Sequence, residues 1–396
     1  MQTSEAIHLS ERFSSGAQFL YNEWPLLCAC VSPYSSGERV SRALAGAFDW
    51  DVLLQLAEEH SVQGILAKRL QESQFAGVPP AAREKLQVRM RAQHLFTLSM
   101  TAELFRVLDD FAAAGIEALV IKGPVTSVVA HGDSSLRAFG DVDLLLRQKD
   151  IARASHRMQA QGFEADVPDS AIEARKVPGE YVFRRPVTNR MVEIHTEQTF
   201  RYYPNALPID EIFRRKRTVS LEGREVPALG LADEVVFHCV HAAKDFWERL
   251  MWICDVAALA NHHPELDWSA IQRSAADCGA ARMLNVGLLL ANRVLRSPLP
   301  PAIAGTIERD HACHQLCAEI EAWLPFGAGA PPSLAHRALY RVRISGGGFA
   351  GISYLLRLSL LPTEEDWKHG TQHGRSWLWG AVRRPFRLIR KYGSGN

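Results

Sequence analysis

The sequence has no run of about 18 apolar residues, so no membrane-spanning helix is expected. The opening MQTSEAIHLSERF lacks a basic segment followed by an apolar core, so no secretory signal is expected. Net charge is almost absent: 45 Lys and Arg against 44 Asp and Glu leave +1. That does not imply a generally basic nucleic-acid-binding surface, although a local patch is compatible with it. Seven cysteines, an odd number, are scattered through 396 residues. They do not form a disulfide framework, and a reducing cytoplasm fits them better. The Cys28-Ala29-Cys30 pair is too close-spaced for structural zinc and reads as buried structure. His311, Cys313, His314 and Cys317 lack the C-x₂-C spacing and read as ordinary helix surface. No H-E-x-x-H pattern and no repeat of 20–50 residues is evident.

What the sequence does have is a hydrophobic content of 47%, enough for a sizeable core in two or three domains. The stretch over residues 119–146, LVIKGPVTSVVAHGDSSLRAFGDVDLLL, reads as strand, tight turn, helix, loop and strand. Leu119, Val120 and Ile121 form a buried strand, and Lys122-Gly123 makes the turn. Pro124 takes the first helical position, and Gly132 ends the helix. On the next strand, alternation puts Asp141 and Asp143 on one face and Val142, Leu144 and Leu146 on the other. Adjacent carboxylates repel, and a cation between them relieves this; oxygen ligands suit Mg²⁺ (or Mn²⁺).

A third acid, Glu193, lies on a strand reading Met191-Val192-Glu193-Ile194-His195, with His195 on its face. If that strand pairs beside the first, Asp141, Asp143 and Glu193 become a metal-holding and catalytic set. A helix N-terminus and Lys122 beside them attract phosphate. Two divalent ions about 3.5–4 Å apart, flanking an in-line displacement, would then suit nucleotidyl transfer.

With these residues in view, the chain resembles the uncharacterised bacterial nucleotidyltransferase-like proteins of the DNA polymerase β superfamily. The resemblance is carried by Lys122-Gly123-Pro124, Arg137, Asp141-Val142-Asp143-Leu144-Leu145 and Glu193-Ile194-His195. It continues in His238, His241, Lys244, Arg249, Trp252 and Asp255, and is most specific from about residue 115 to 260. In one departure, Pro124 stands where the superfamily has a turn serine that helps hold triphosphate. The resemblance implies an α+β fold, with a small mixed sheet flanked by helical N- and C-terminal regions. It implies NMP transfer from an NTP to an acceptor hydroxyl. Asp141, Asp143 and Glu193 would be catalytic and metal-binding. Lys122, Gly123, Arg137, His195, His241 and Lys244 would hold the nucleotide. The near-zero charge favours a small-molecule, peptide or protein acceptor over long RNA. A nucleotide-binding protein without transfer, and a helical interaction protein whose acids are structural, are the alternatives.

The remaining organisation follows from periodicity. Residues 1–96 read as helical, with Asp49 or Asp51 capping a helix and Pro79-Pro80 opening another. Residues 97–220 form the expected catalytic core. Its first helix, over 94–114, is expected to turn Leu95, Leu98, Leu104, Leu108 and Phe111 inward. A hairpin turning at Pro186, Thr188 and Asn189 is also expected. Residues 221–325 read as a helical domain with one apolar stripe running to Ala260. Residues 326–332 read as a linker, within a C-terminal region over 326–396 that ends in a basic segment at 381–391 behind Trp377 and Trp379. Arg137 is expected on phosphate or on Asp133. His238 and His241 are expected on a helix face turned toward the nucleotide or in plain packing, with zinc a third option.

Overall fold

The computed structural model describes residues 20–173, 179–196, 208–329 and 333–360. The basic segment at 381–391, Trp377, Trp379 and residues 330–332 of the expected linker lie outside the described residues. Helices α1 (Leu20–Val31), α2 (Gly37–Leu44), α3 (Trp50–Glu59), α4 (Gln63–Glu72) and α5 (Pro80–Ala113) come first. The Asp49 side chain accepts from the amides of Asp51 and Val52 and so starts α3. Then follow β1 (Ala118–Val120), α6 (Pro124–His131), β2 (Asp141–Leu146), α7 (Ile151–Ala160), β3 (Glu164–Ala165) and α8 (Asp169–Glu173). Next come β4 (Glu180–Arg185), β5 (Arg190–His195), α9 (Ile209–Arg214), β6 (Arg217–Leu221) and β7 (Arg224–Ala228). Helices α10 (Leu231–Lys244), α11 (Leu250–His262), α12 (Trp268–Asp277), α13 (Ala281–Leu295), α14 (Pro301–Arg309), α15 (His311–Trp323), α16 (Leu334–Ile344) and α17 (Gly348–Leu360) complete the described residues.

The seven strands form one mixed sheet in the order β3-β4-β5-β2-β1-β7-β6. This is the α+β architecture expected. β2 runs parallel to β5 and antiparallel to β1, and β7 runs parallel to β1. One sheet face is mainly apolar, with Arg185 and Arg190 at its end paired to the buried Glu103 of α5. Val142, Leu144, Leu146, Val192 and Ile194 pack there with Met100, Leu104, Val107 and Phe111 of α5 and with Ala154 and Met158 of α7. The other face mixes the acids with a small apolar patch in which Leu119, Ile121 and Leu145 meet Phe213 of α9 and Phe237 of α10. α10 therefore covers the face that carries the chemistry.

Four expectations change here. First, α5 is one helix of 34 residues, continuous across position 96. Its first half buries Ala82 and Leu86 among the helices and its second half packs on the sheet. Leu95 and Leu98 lie between these two halves, outside both cores, and are exposed, at 67% and 38%. Second, residues 217–228 are a hairpin that joins the sheet, so position 220 falls inside a strand. Third, the stripe from Leu231 to Ala260 is broken between α10 and α11, where Phe246 and Trp247 adopt φ of 59° and 55°. Fourth, Cys313 and Cys317 are buried in the helical core, the latter against the Val286 carbonyl, because their face of α15 meets α13. The N-terminal and C-terminal helices share that core: Leu27, Leu53 and Leu66 lie in one cluster with Val235, Ile253 and Leu284. All seven cysteines are unpaired, and no described helix is long and apolar enough to cross a membrane.

Candidate active site

The site begins at the end of β1. Ile121 N–H donates to the Asp143 carbonyl at 3.1 Å, which carries the β1–β2 pairing one residue past the strand. Lys122 follows, and the chain then reverses at Gly123, whose φ of 67° and ψ of −131° suit glycine alone. Pro124 opens α6 as its first residue, and Gly132, at φ 78°, closes it. The turn therefore sets the N-terminus of α6 beside the start of β2.

Parallel pairing of β2 and β5 puts Asp143 opposite Glu193 and Leu145 opposite His195. Antiparallel pairing of β4 puts Glu180 opposite His195. Asp143, Glu193 and His195 thus converge, and each offers a ligand atom within 4.8 Å of the others. Asp141 shares their face but stands outside this group of three. His195 Nε2–H donates to Asp143 Oδ1 at 3.0 Å and lies 3.7 Å from Glu193 Oε2. Lys122 Nζ lies 2.7 Å from the same Asp143 oxygen.

The electrostatics split the acids. Burial alone would raise the Asp143 carboxyl, but Lys122 and His195 outweigh it and hold the group well below the usual range. Burial pushes Asp141 up to about 6, with Asp143 adding to the push. Burial also pushes Glu193 up to about 9, reinforced by Asp143, Glu180 and Asp141. Against burial, Asp143, Asp141 and Glu193 together keep the Lys122 ammonium above its ordinary value. One ammonium thus satisfies one acid and leaves two short of positive charge.

Arg137 and Lys122 are both buried and paired with carboxylates. Arg137 Nε donates to Asp255 Oδ2 at 2.9 Å rather than to Asp133, whose carboxylate instead accepts from the Ser135 amide. His131 Nε2 holds the other Asp255 oxygen at 2.9 Å. This buried cluster fastens the end of α6 to α11. Thr126 fastens the start: its hydroxyl donates to Glu234 at 3.2 Å and lies 3.0 Å from His238 Nε2. His238 therefore packs behind the turn. His241 is half-buried, edge-on to Trp252, and burial together with Lys122 and Lys244 lowers its imidazole well below the ordinary value. Lys244 pairs with Glu180 at 3.0 Å.

Strand periodicity identified the acids, but not Glu180. The hairpin turn at 186–189 carries that signal, since counting back from it puts Glu180 across from His195. Thr126 and Glu234 left no comparable mark in the sequence.

A family described as uncharacterised nucleotidyltransferase matches residues 46–296, more than half of the chain, and the chain belongs to that family. Among solved structures, an antigenic nucleotidyltransferase-like protein from Paracoccidioides brasiliensis is similar at 16% identity and a TM-score of 0.29, over 55% of this chain and 91% of its own. No curated protein matches the chain.

Proposed function

We propose that the protein transfers a nucleoside monophosphate from an NTP to an acceptor hydroxyl, releasing pyrophosphate. The observation that carries this reading is the convergence of Asp143 and Glu193 across β2 and β5, beside a helix N-terminus, in a chain of this family. A divalent cation fits the donors. Two carboxylates and an imidazole lie within one ion's reach, and two acids lack countercharge. Asp143 and Glu193 would hold Mg²⁺ or Mn²⁺, with Asp141 beside them. When bound, such an ion polarises the phosphoryl group and lowers the pKa of the attacking hydroxyl.

The chain's own residues do the rest. His195 orients Asp143 through its Nε2 hydrogen bond. The Gly123 turn points the first amides of α6 at an incoming phosphate. Glu193, opposite Asp143 across β2 and β5, is placed to take the acceptor's proton once a cation keeps it ionised. Arg137 acts through Asp255 by holding α6 in place. His241, with Lys244 behind it on the same helix, lines the nucleotide side. The acceptor, a small molecule, peptide or protein, would enter between the sheet and α10.

The test is incubation with each α-labelled NTP, Mg²⁺ or Mn²⁺, and host extract. The expected result is a labelled acceptor and stoichiometric pyrophosphate, both lost in Glu193→Gln. A second reading, nucleotide binding without transfer, is favoured by one observation: Asp143 is already engaged by Lys122. Binding with no pyrophosphate release under any condition would establish it over transfer.

A further inference from the structure

We propose that this site takes one divalent cation rather than two, and that the Lys122 ammonium is its permanent second positive charge. The inference rests on the nucleotidyl-transfer reading and concerns how the site is charged.

A two-ion centre needs a carboxylate shared by ions about 3.5–4 Å apart. Asp143 is the residue placed for that, opposite Glu193 and two positions from Asp141 on the same face. Its Oδ1, however, already receives two donors, Lys122 Nζ at 2.7 Å and His195 Nε2 at 3.0 Å. A carboxylate oxygen has about two lone-pair directions to offer. One oxygen is therefore filled, and only the other is left for a metal.

The ammonium is built into its place. The hydrogen bond from Ile121 N–H to the Asp143 carbonyl fixes the backbone just before Lys122 against β2. The Gly123 conformation fixes the backbone just after it. The Lys122 side chain is 6% exposed and that of Asp143 2%. Leaving would strand both charges in a buried setting, which is costly. Among the described residues, Asp143, Glu193 and His195 lie within one ion's reach; with His195 Nε2–H given to Asp143, the two carboxylates remain, enough to anchor one ion. Asp141, outside that group, then faces Lys122 rather than a second metal, and the charge of Asp141 adds to those that hold the ammonium.

The experiment counts ions. The full chain, with one equivalent of α,β-methylene-ATP, is titrated with Mn²⁺ and followed by electron paramagnetic resonance. One bound Mn²⁺ per chain is expected, with the spectrum of an isolated ion. Lys122→Ala vacates the ammonium position and should admit a second Mn²⁺, seen as an exchange-coupled pair. Two coupled ions in the wild-type protein overturn the inference, as does a folded Lys122→Ala that still takes one. The wild-type count decides by itself if the variant does not fold. No bound Mn²⁺ at all in the wild type would instead remove the metal reading beneath it, together with this inference.

Discussion

The Lys122 ammonium lies 2.7 Å from Oδ1 of Asp143, and both side chains are buried. Asp141 sits two residues away on the same face without such a partner. Strand periodicity makes the two aspartates equivalent; tertiary structure does not. Asp143→Asn removes the countercharge of a buried ammonium. Breaking a buried pair in this way costs about 3–5 kcal/mol, and the presence of Asp141 and Glu193 argues for the lower end. Asp141→Asn removes a charge that burial already disfavours, with its carboxyl pushed up to about 6. It should leave stability at pH 8 unchanged or raise it by up to about 2 kcal/mol. Urea unfolding of both variants without metal checks this, and equal effects would contradict the asymmetry.

The same acids set a pH dependence. Glu193 is pushed from 4.5 up to about 9 and Asp141 from 3.8 up to about 6. Between the unfolded and folded values the native state holds more protons than the unfolded one. Stability of the metal-free protein must therefore fall as pH rises through that window. The Glu193 contribution runs from about pH 4.5 to about 9, and that of Asp141 ends near pH 6. Asp143 is shifted the other way, and its effect is confined to pH below 3.8. Melting temperatures from pH 5 to 9 in EDTA should decline from these groups, and saturating Mg²⁺ or Mn²⁺ should flatten the decline, because the cation releases the Glu193 proton on binding. A profile that is unchanged by metal would argue against Glu193 as a ligand.

Glu193→Gln follows from that shift. A neutral amide resembles the protonated acid that the metal-free site prefers, so the fold should be kept or slightly stabilised at pH 7.5. Transfer should fall by about 10²-fold or more if Glu193 takes the acceptor's proton. Single-turnover rates with labelled NTP, read beside melting temperature, separate the two effects.

The parts of this site that were legible in the sequence are local. The run from Leu119 to Leu146 carries its own turn, cap and alternation, and it folds as those signals say. The hairpin of β4 and β5 was likewise announced by its turn residues. The partner of Arg137 was not, because Asp255 is 118 residues away and only the packing of α6 on α11 brings it near. The hairpin of β6 and β7 had a readable signal, Glu222-Gly223 between alternating residues, and both residues do adopt positive φ. The continuity of α5 was readable too, since no proline or glycine lies between Pro80 and Gly115. What concealed it was a buried face that changes as the helix passes from one core to the other.

Arg137 and Asp255 form a second buried pair, remote from the acids in sequence but tied to them through α6. Burial would lower the Arg137 guanidinium and raise the Asp255 carboxyl, yet each holds the other in its charged form. Asp255→Asn should cost about 3–5 kcal/mol, since Arg137 would remain buried and uncompensated. A double-mutant cycle with Arg137→Met should show strong coupling. If Arg137 instead served phosphate directly, its replacement would abolish NTP binding with little change in unfolding free energy.

Gly123 offers the sharpest separation of backbone from charge. Its φ of 67° and ψ of −131° lie outside the left-handed helical well, in a region that residues with a side chain rarely enter. Space is not the obstacle: a Cβ there would meet Phe139 at 3.6 Å and the Asp141 carbonyl at 3.7 Å, which are ordinary contacts. Conformation is the obstacle, and it should cost Gly123→Ala about 1–3 kcal/mol. The strain would be relieved by rotating the turn, which moves Lys122 away from Asp143 and the first amides of α6 away from the phosphate. Gly132→Ala is the matched control. Gly132 has φ 78° and ψ 4°, the milder left-handed conformation, with open space around it, at the far end of the same helix. It should cost about 1 kcal/mol and leave nucleotide binding intact. Unfolding free energies and NTP titrations of the two variants should therefore diverge, with Gly123→Ala losing both stability and affinity. Equal affinities in the two variants would show that the turn only supports the fold.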